Sequence, residues 1–249
     1  IFLILVLVPG IGIELLGARR WINLGGILFQ PSELIKLTFL LYLGLWLEAR
    51  QKSRAIHDFS TGFAPFMTMI GFLVLMIAGV QKDLGTMVII AVIAIVAYFV
   101  AGAPWKHLAV IGAAGVAMLL FLIKVLPLFI PSFNYRANRL TVFLNPDLDP
   151  LGIGFHINQA LLAIGSGGLF GVGLGHSRQK FNYLPEVATD SIFAVVAEEM
   201  GFIIALSLVA LYIGIMWQGI QVAKAAPDHF GKIVAAGIVT WITFQAIVN

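Results

Sequence analysis

FAPFMTMIGFLVLMIAGVQKDLGTMVIIAVIAIVAYFVAGA, residues 63–103, holds two apolar runs split by the polar knot Gln81-Lys82-Asp83. No Lys, Arg, Asp or Glu stands between Phe63 and Val80, nor between Leu84 and Ala103. At 1.5 Å of rise per residue, each run makes a helix about as long as the ~30 Å hydrocarbon layer is thick. The rest of the chain repeats this pattern. Of its 249 residues, 60% are hydrophobic and only 11% are charged, against about 25% in soluble domains. Mean hydropathy is +1.01. The expected fold is all-α, a polytopic transmembrane helical bundle with about seven spans.

Those apolar segments lie near residues 1–16, 32–49, 63–81, 84–103, 108–127, 190–217 and 232–249. The first is short for a span. One membrane domain, 1–249, is expected, because the bilayer supplies the apolar solvent that a soluble core otherwise provides. The connection 128–189 is far too long for a turn and carries Pro131, Pro146, Pro150 and Pro185. Within it, Phe155 to Ile164 is weakly amphipathic and predicts a short interfacial helix, with Gly165, Gly167 and Gly168 ending it. The chain opens at Ile1 inside an apolar run and stops at Asn249 as another finishes. Both ends are expected to be cuts in a longer protein.

Several chemistries fall away at once. A chain with no cysteine has no disulfide, thiolate metal site or cysteine nucleophile. The five histidines are scattered without metal-ligand spacing. The glycine run from Gly165 to Gly175 lacks the Lys-Ser/Thr of a phosphate-binding loop, and suits close backbone approach or hinge freedom instead. No nucleic acid is expected among the partners. The loops on the two sides carry nearly equal Lys/Arg counts, so the positive-inside rule barely orients the chain.

Charges inside apolar runs are the informative ones, since each costs roughly 3 kcal/mol or more at the bilayer centre unless paired or wet. Glu33 and Lys36 are spaced i, i+3, close enough for an ion pair on one helix face. That pair is either structural or part of a polar cavity. Glu198 and Glu199 are adjacent, so at least one is expected to face the bundle interior. Asp83, ahead of Gly85 and Thr86, has the look of a helix cap. Asp190 closes the polar stretch that begins near Pro131 and opens an apolar helix. A carboxylate at the mouth of a membrane helix is the foremost candidate for chemistry. Arg19, Arg20, Arg136 and Arg139 suit either an anionic ligand or lipid headgroups, and Trp21 suits sugar stacking or, more commonly, interface anchoring.

Together the motifs resemble a known family. Gly17-Ala18-Arg19-Arg20-Trp21-Ile22, Gln30-Pro31-Ser32-Glu33-Leu34-Ile35-Lys36, Asp83-Leu84-Gly85-Thr86, Phe143-Leu144-Asn145-Pro146, Ala163-Ile164-Gly165-Ser166-Gly167-Gly168-Leu169 and Leu184-Pro185-Glu186 with Thr189-Asp190 are similar to the SEDS proteins of bacterial cell-wall synthesis. Gly173 to Lys180 is closest to the FtsW and SpoVE branch rather than to RodA. The chain departs from the usual pattern at Lys82, Ala188 and Ser191, but retains Asp190.

The resemblance implies a ten-helix peptidoglycan glycosyltransferase of the bacterial cytoplasmic membrane that uses lipid II. This chain would cover about the third to ninth helices, with 128–189 as a long extracytoplasmic loop. The implied partners are lipid II and the nascent glycan strand, a class B penicillin-binding protein and other division proteins. Asp190 is then the expected catalytic base. Arg19, Arg20, Trp21, Gln30, Ser32, Glu33, Lys36, Asp83, Arg136, Arg139 and Glu198 are the expected substrate-binding residues. A divalent cation, Mg or Mn, is compatible with the carboxylates but has no signature here. A single carboxylate suffices for inverting displacement, whereas retention commonly needs a second about 5 Å away. The competing reading is a lipid II flippase. It requires a continuous polar track, which segments 63–81 and 108–127 do not offer.

Overall fold

The computed structural model describes residues 12–15, 18–24, 27–81, 83–121, 153–177 and 191–248, with isolated positions 6, 8, 142 and 149 besides. The chain divides into two units, residues 1–109 with 214–248, and residues 110–213, and each is described by itself.

The first unit opens with β1 (Gly12–Leu15), β2 (Ala18–Leu24) and β3 (Ile27–Phe29), an antiparallel sheet in the order β1-β2-β3. This corrects the expectation of a helical span over 1–16, since residues 12–15 of it are extended and paired. Gly12 lies against Val6 so closely that a Cβ there would fall on the Val6 carbonyl. Gly12 pairs with Ile22, Ile13 with Trp21 and Glu14 with Arg19, which leaves a bulge at Arg20.

Helix α1 (Pro31–Lys52) follows, with Pro31 in its first turn, where a missing N–H costs nothing, and Glu33 where the helix dipole favours a carboxylate. Next comes a rod from Phe59 to Val80, in which α2 (Ala64–Val74) is flanked by π-helical turns at Phe59–Phe63 and Leu75–Val80. Asp58 caps it, accepting from Ser60 Oγ at 2.9 Å, Thr61 Oγ1 at 2.9 Å and Thr61 N at 3.3 Å. The hydrogen bonds from Ser60 and Thr61 hold its carboxyl below the ordinary carboxylate range. Helix α3 (Leu84–Val100) and α4 (Trp105–Leu120) as far as residue 109 complete this stretch, the rest of α4 belonging to the second unit.

The core sits where α7 (His229–Val248) packs against α1 and α3. Leu40, Leu43 and Leu47 of α1, Ile90, Ile93, Ala94 and Ala97 of α3, and Ile233 of α7 are buried, each set at helical spacing. In lipid, where apolar burial alone gives little net force, tight van der Waals packing must hold helices together. Gly44 and Gly237 supply the room: a Cβ on Gly237 would strike Leu40, and one on Gly44 would crowd Phe230 and Val234. Tyr98 is fully buried, stacks on Phe66 at 4.0 Å between ring centroids, and has its hydroxyl 2.8 Å from His107 Nδ1.

In the second unit, α5 (Ile153–Gly167) covers the predicted 155–164 helix and runs through Gly165 before Gly168 ends it at φ +55°. Helix α6 (Ile192–Ala225), in this unit as far as residue 213, matches the 190–217 segment but extends further, and it is broken at Gly201.

By length and composition, the rod Phe59–Gly79, α6 and α7 can each cross a membrane, and α3 and part of α4 are shorter apolar helices. At about 33 Å, α1 is long enough but carries Glu33 and Lys36 near one end and Glu48, Arg50 and Lys52 at the other.

Candidate functional site

Two polar arrangements stand inside otherwise apolar helices. The first is built on Lys36, whose side chain is 1% exposed. Its Nζ lies 2.8 Å from Glu33 Oε1, one helical turn back on α1, and donates to Gln245 Oε1 of α7 at 2.8 Å. The same Gln245 oxygen accepts from Trp241 Nε1 at 2.6 Å, and the ammonium sits 5.0 Å from the centroid of the Trp241 ring. Two donors converging on one amide oxygen fix which end of Gln245 faces Lys36. The Glu33 side chain is 46% exposed, so the buried ammonium holds a carboxylate that itself looks outward. Ser32, next in sequence, is 1% exposed, and its Oγ has no hydrogen-bond partner within the described residues.

The second arrangement is the break in α6. Gly201 has φ 85° and ψ 174°, a region open essentially to glycine alone. An unbroken helix would bond Phe202 N to Glu198 O and Ile203 N to Glu199 O. Instead, Val172 N and Gly173 N donate to the Glu198 and Glu199 carbonyls, both at 3.0 Å. Phe202 N and Ile203 N donate in turn to the Gly168 and Leu169 carbonyls, at 2.9 and 3.4 Å. The loop Gly168–Gly173 thus supplies both acceptors and both donors that the break would otherwise orphan. Its fit depends on absent side chains. A Cβ on Gly171 would fall on the Glu199 and Met200 backbone, and one on Gly201 on Leu169 to Gly171. Past the loop, the Ser177 hydroxyl donates to the Glu198 carboxylate, and both residues are buried.

Asp83 caps α3, with Thr86 N donating to Oδ1 and Thr86 Oγ1 to Oδ2, both at 3.0 Å. Gln30 precedes α1 in extended backbone, and its carbonyl accepts from Glu33 N at 3.1 Å. Arg19 and Arg20 lie in β2, and Trp21, half-buried, lies opposite Ile13. Asp190, Arg136 and Arg139 fall outside the described residues. The structure therefore joins Glu33 to Lys36 and ties Glu198 to Ser177.

Sequence reasoning missed Trp241, Gln245 and Ser177. A signal existed for Gln245: an amide inside an apolar run demands a partner as surely as a charge does. As for a divalent cation, no three His, Asp or Glu side chains converge among the described residues. Glu33 is already paired with Lys36, so no described donor set fits a metal.

Comparison with known proteins places this architecture. Stage V sporulation protein E of Bacillus subtilis is 43% identical over 249 residues, covering 99% of this chain and 65% of that protein. A probable peptidoglycan glycosyltransferase FtsW of a Geobacter species is 40% identical over 248 residues, again 99% of this chain and 65% of the relative. The chain thus spans 65% of the length of these relatives. Among solved structures, a chain described under "Structural coordination of polymerization and crosslinking by a peptidoglycan synthase complex" superposes with a TM-score of 0.71 at 31% identity, over 100% of this chain and 66% of its own. The rod shape determining protein RodA of Thermus thermophilus gives a TM-score of 0.59 at 29% identity, over 99% of this chain and 61% of its own. The family described as cell cycle protein, FtsW/RodA/SpoVE, matches residues 1–249. A helical membrane protein with these motifs, matched from end to end by that family, belongs to the FtsW/RodA/SpoVE family of cell cycle proteins.

Proposed function

We propose that this chain is the membrane core of a peptidoglycan glycosyltransferase that polymerises lipid II into glycan strands in the bacterial cytoplasmic membrane. We place it beside a class B penicillin-binding protein and other division proteins. The observation that carries the reading is 40% identity, across nearly the whole chain, to a relative named for that activity. The fixed, outward-looking Glu33 carboxylate is compatible with it.

In the proposed step the acceptor sugar hydroxyl attacks the donor's anomeric carbon. Its proton passes to Asp190, the new glycosidic bond forms, and the bond to the pyrophosphate breaks with its electron pair leaving on the pyrophosphate oxygen. With a single carboxylate in play, the anomeric configuration inverts. Arg19, Arg20, Arg136 and Arg139 supply the charge that stabilises the leaving pyrophosphate. Lys36, buried among protein groups, acts by holding Glu33 rather than by touching substrate.

The test is polymerisation of purified lipid II by the full-length protein with its penicillin-binding partner, with products resolved on a gel. Wild type is expected to make strands. Asp190→Asn, inserted and folded, is expected to lose at least about a hundredfold in rate, as removal of a general base does. Normal polymerisation by Asp190→Asn moves the base elsewhere. Transbilayer movement of lipid II by a wild-type protein that makes no strands replaces the enzyme with the flippase.

A further inference from the structure

The break at Gly201 divides α6 into unequal rods. From Ile192 to Met200 is about 14 Å, too short to cross the ~30 Å hydrocarbon layer, whereas Phe202 to Ala225 is about 36 Å and long enough to cross it alone. The short rod is therefore free of the spanning task. It carries Glu198 near one end, and Asp190 precedes its other end in sequence. Its direction is set by the Gly168–Gly173 loop, whose two donors and two acceptors replace the two helical bonds lost at the break. A simple kink would leave those four backbone groups open, and in a membrane each costs several kcal/mol. Here every one is taken up by a single loop, and the Ser177–Glu198 bond adds a side-chain tie to the same rod.

We infer that this backbone clasp is a positioning device for the transfer reaction: it aims the Ile192–Met200 rod independently of the spanning helix. Gly171, Gly201 and Ser177 are its positioning residues. The inference rests on the proposed glycosyltransferase reading. Gly201→Ala cannot keep φ 85°, ψ 174°, and its Cβ would collide with the clasp, so the variant must straighten the helix and expel the loop.

The experiment uses the full-length protein with its partner and two readouts. Spin labels at Phe193→Cys and Leu211→Cys, on either side of the break, report its shape by electron–electron double resonance. Both positions are exposed, residues 1–249 carry no cysteine to compete for label, and any cysteine elsewhere in the full-length protein is replaced by serine. Gly201→Ala is expected to lengthen the label distance toward the about 27 Å of a straight helix. It is also expected to lower kcat for lipid II polymerisation by at least about tenfold with KM within about twofold, the signature of misplaced reacting groups. Gly214→Ala, in the same helix with nothing within 4 Å of the added Cβ, serves as the control and should behave as wild type. A lengthened distance with unchanged kcat overturns the inference while leaving the glycosyltransferase reading intact. An unchanged distance overturns it as well. A wild type that makes no strands sinks the functional reading instead, and the label distance still reports the break. Should Gly201→Ala fail to fold, Ser177→Ala decides: kcat falls by at least about threefold and Ser177→Thr restores it, or the clasp does not position the rod.

Discussion

Replacing Gln245 by leucine removes the oxygen that the Lys36 ammonium and the Trp241 indole share. It leaves the half-buried Trp241 N–H without this acceptor and the buried Lys36 ammonium with Glu33 in its place, at a cost of about 1–3 kcal/mol. Lys36→Met should be milder, because it takes the charge away and frees Glu33, already 46% exposed, to water. The double variant should cost less than the two single costs summed, since both remove the same bond. Thermal unfolding in detergent checks the order, and strict additivity would show that the two side chains act separately. The Glu33–Lys36 pairing was legible in the sequence because i, i+3 spacing puts both on one helix face. Gln245 was not, because it stands 209 residues away and only the packing of α7 on α1 brings it in. Asp83 was legible as a cap for a local reason: Thr86 follows three residues later, where the first orphan N–H groups lie.

Elements followed the same division between near and far. The described parts of the six apolar runs after the first are helices at nearly the expected places, 122–127 lying outside the described residues, because length and uninterrupted hydropathy are local properties. The β1-β2-β3 sheet escaped notice, since Ile11 to Leu15 is apolar enough to pass for the end of a span. The break in α6 escaped too: a glycine inside a helical run signals nothing until its loop partner is known. Two outcomes belong at this scale. Gly237→Leu should destabilise the α1–α7 crossing by about 1–3 kcal/mol through overpacking against Leu40, seen as a lowered unfolding temperature. A neutral result would mean the helices separate freely. Asp58, whose carboxyl is held below the ordinary range, contributes stability that is complete above the unfolded carboxylate pKa and lost as pH falls through the folded one. The unfolding temperature should therefore drop on acidification below the ordinary carboxylate range, and less so in Asp58→Asn, which has no such proton to take up.

At the scale of the whole molecule, composition was the most dependable guide. A chain this apolar leaves Phe72, Leu75, Trp105, Leu211, Ile213 and Trp217 exposed, an arrangement stable only where lipid covers them. Expressed in bacteria, the protein should stay with the membrane pellet through an alkaline carbonate wash and dissolve only in detergent. Recovery from the wash supernatant would contradict that. The resemblance was readable from its motifs, and the helical part of the fold from its apolar runs. The proposed site was less so, because it depends on distant pairings, and the proposed roles of Asp190, Arg136 and Arg139 fall outside the described residues. Residues 168–173 precede residues 198–203 in the chain, so a growing polypeptide delivers the loop before the helix that needs it. The donors and acceptors that will take the broken ends of α6 already exist when Gly201 leaves the ribosome. The interruption therefore has its partners waiting at the moment it enters the bilayer.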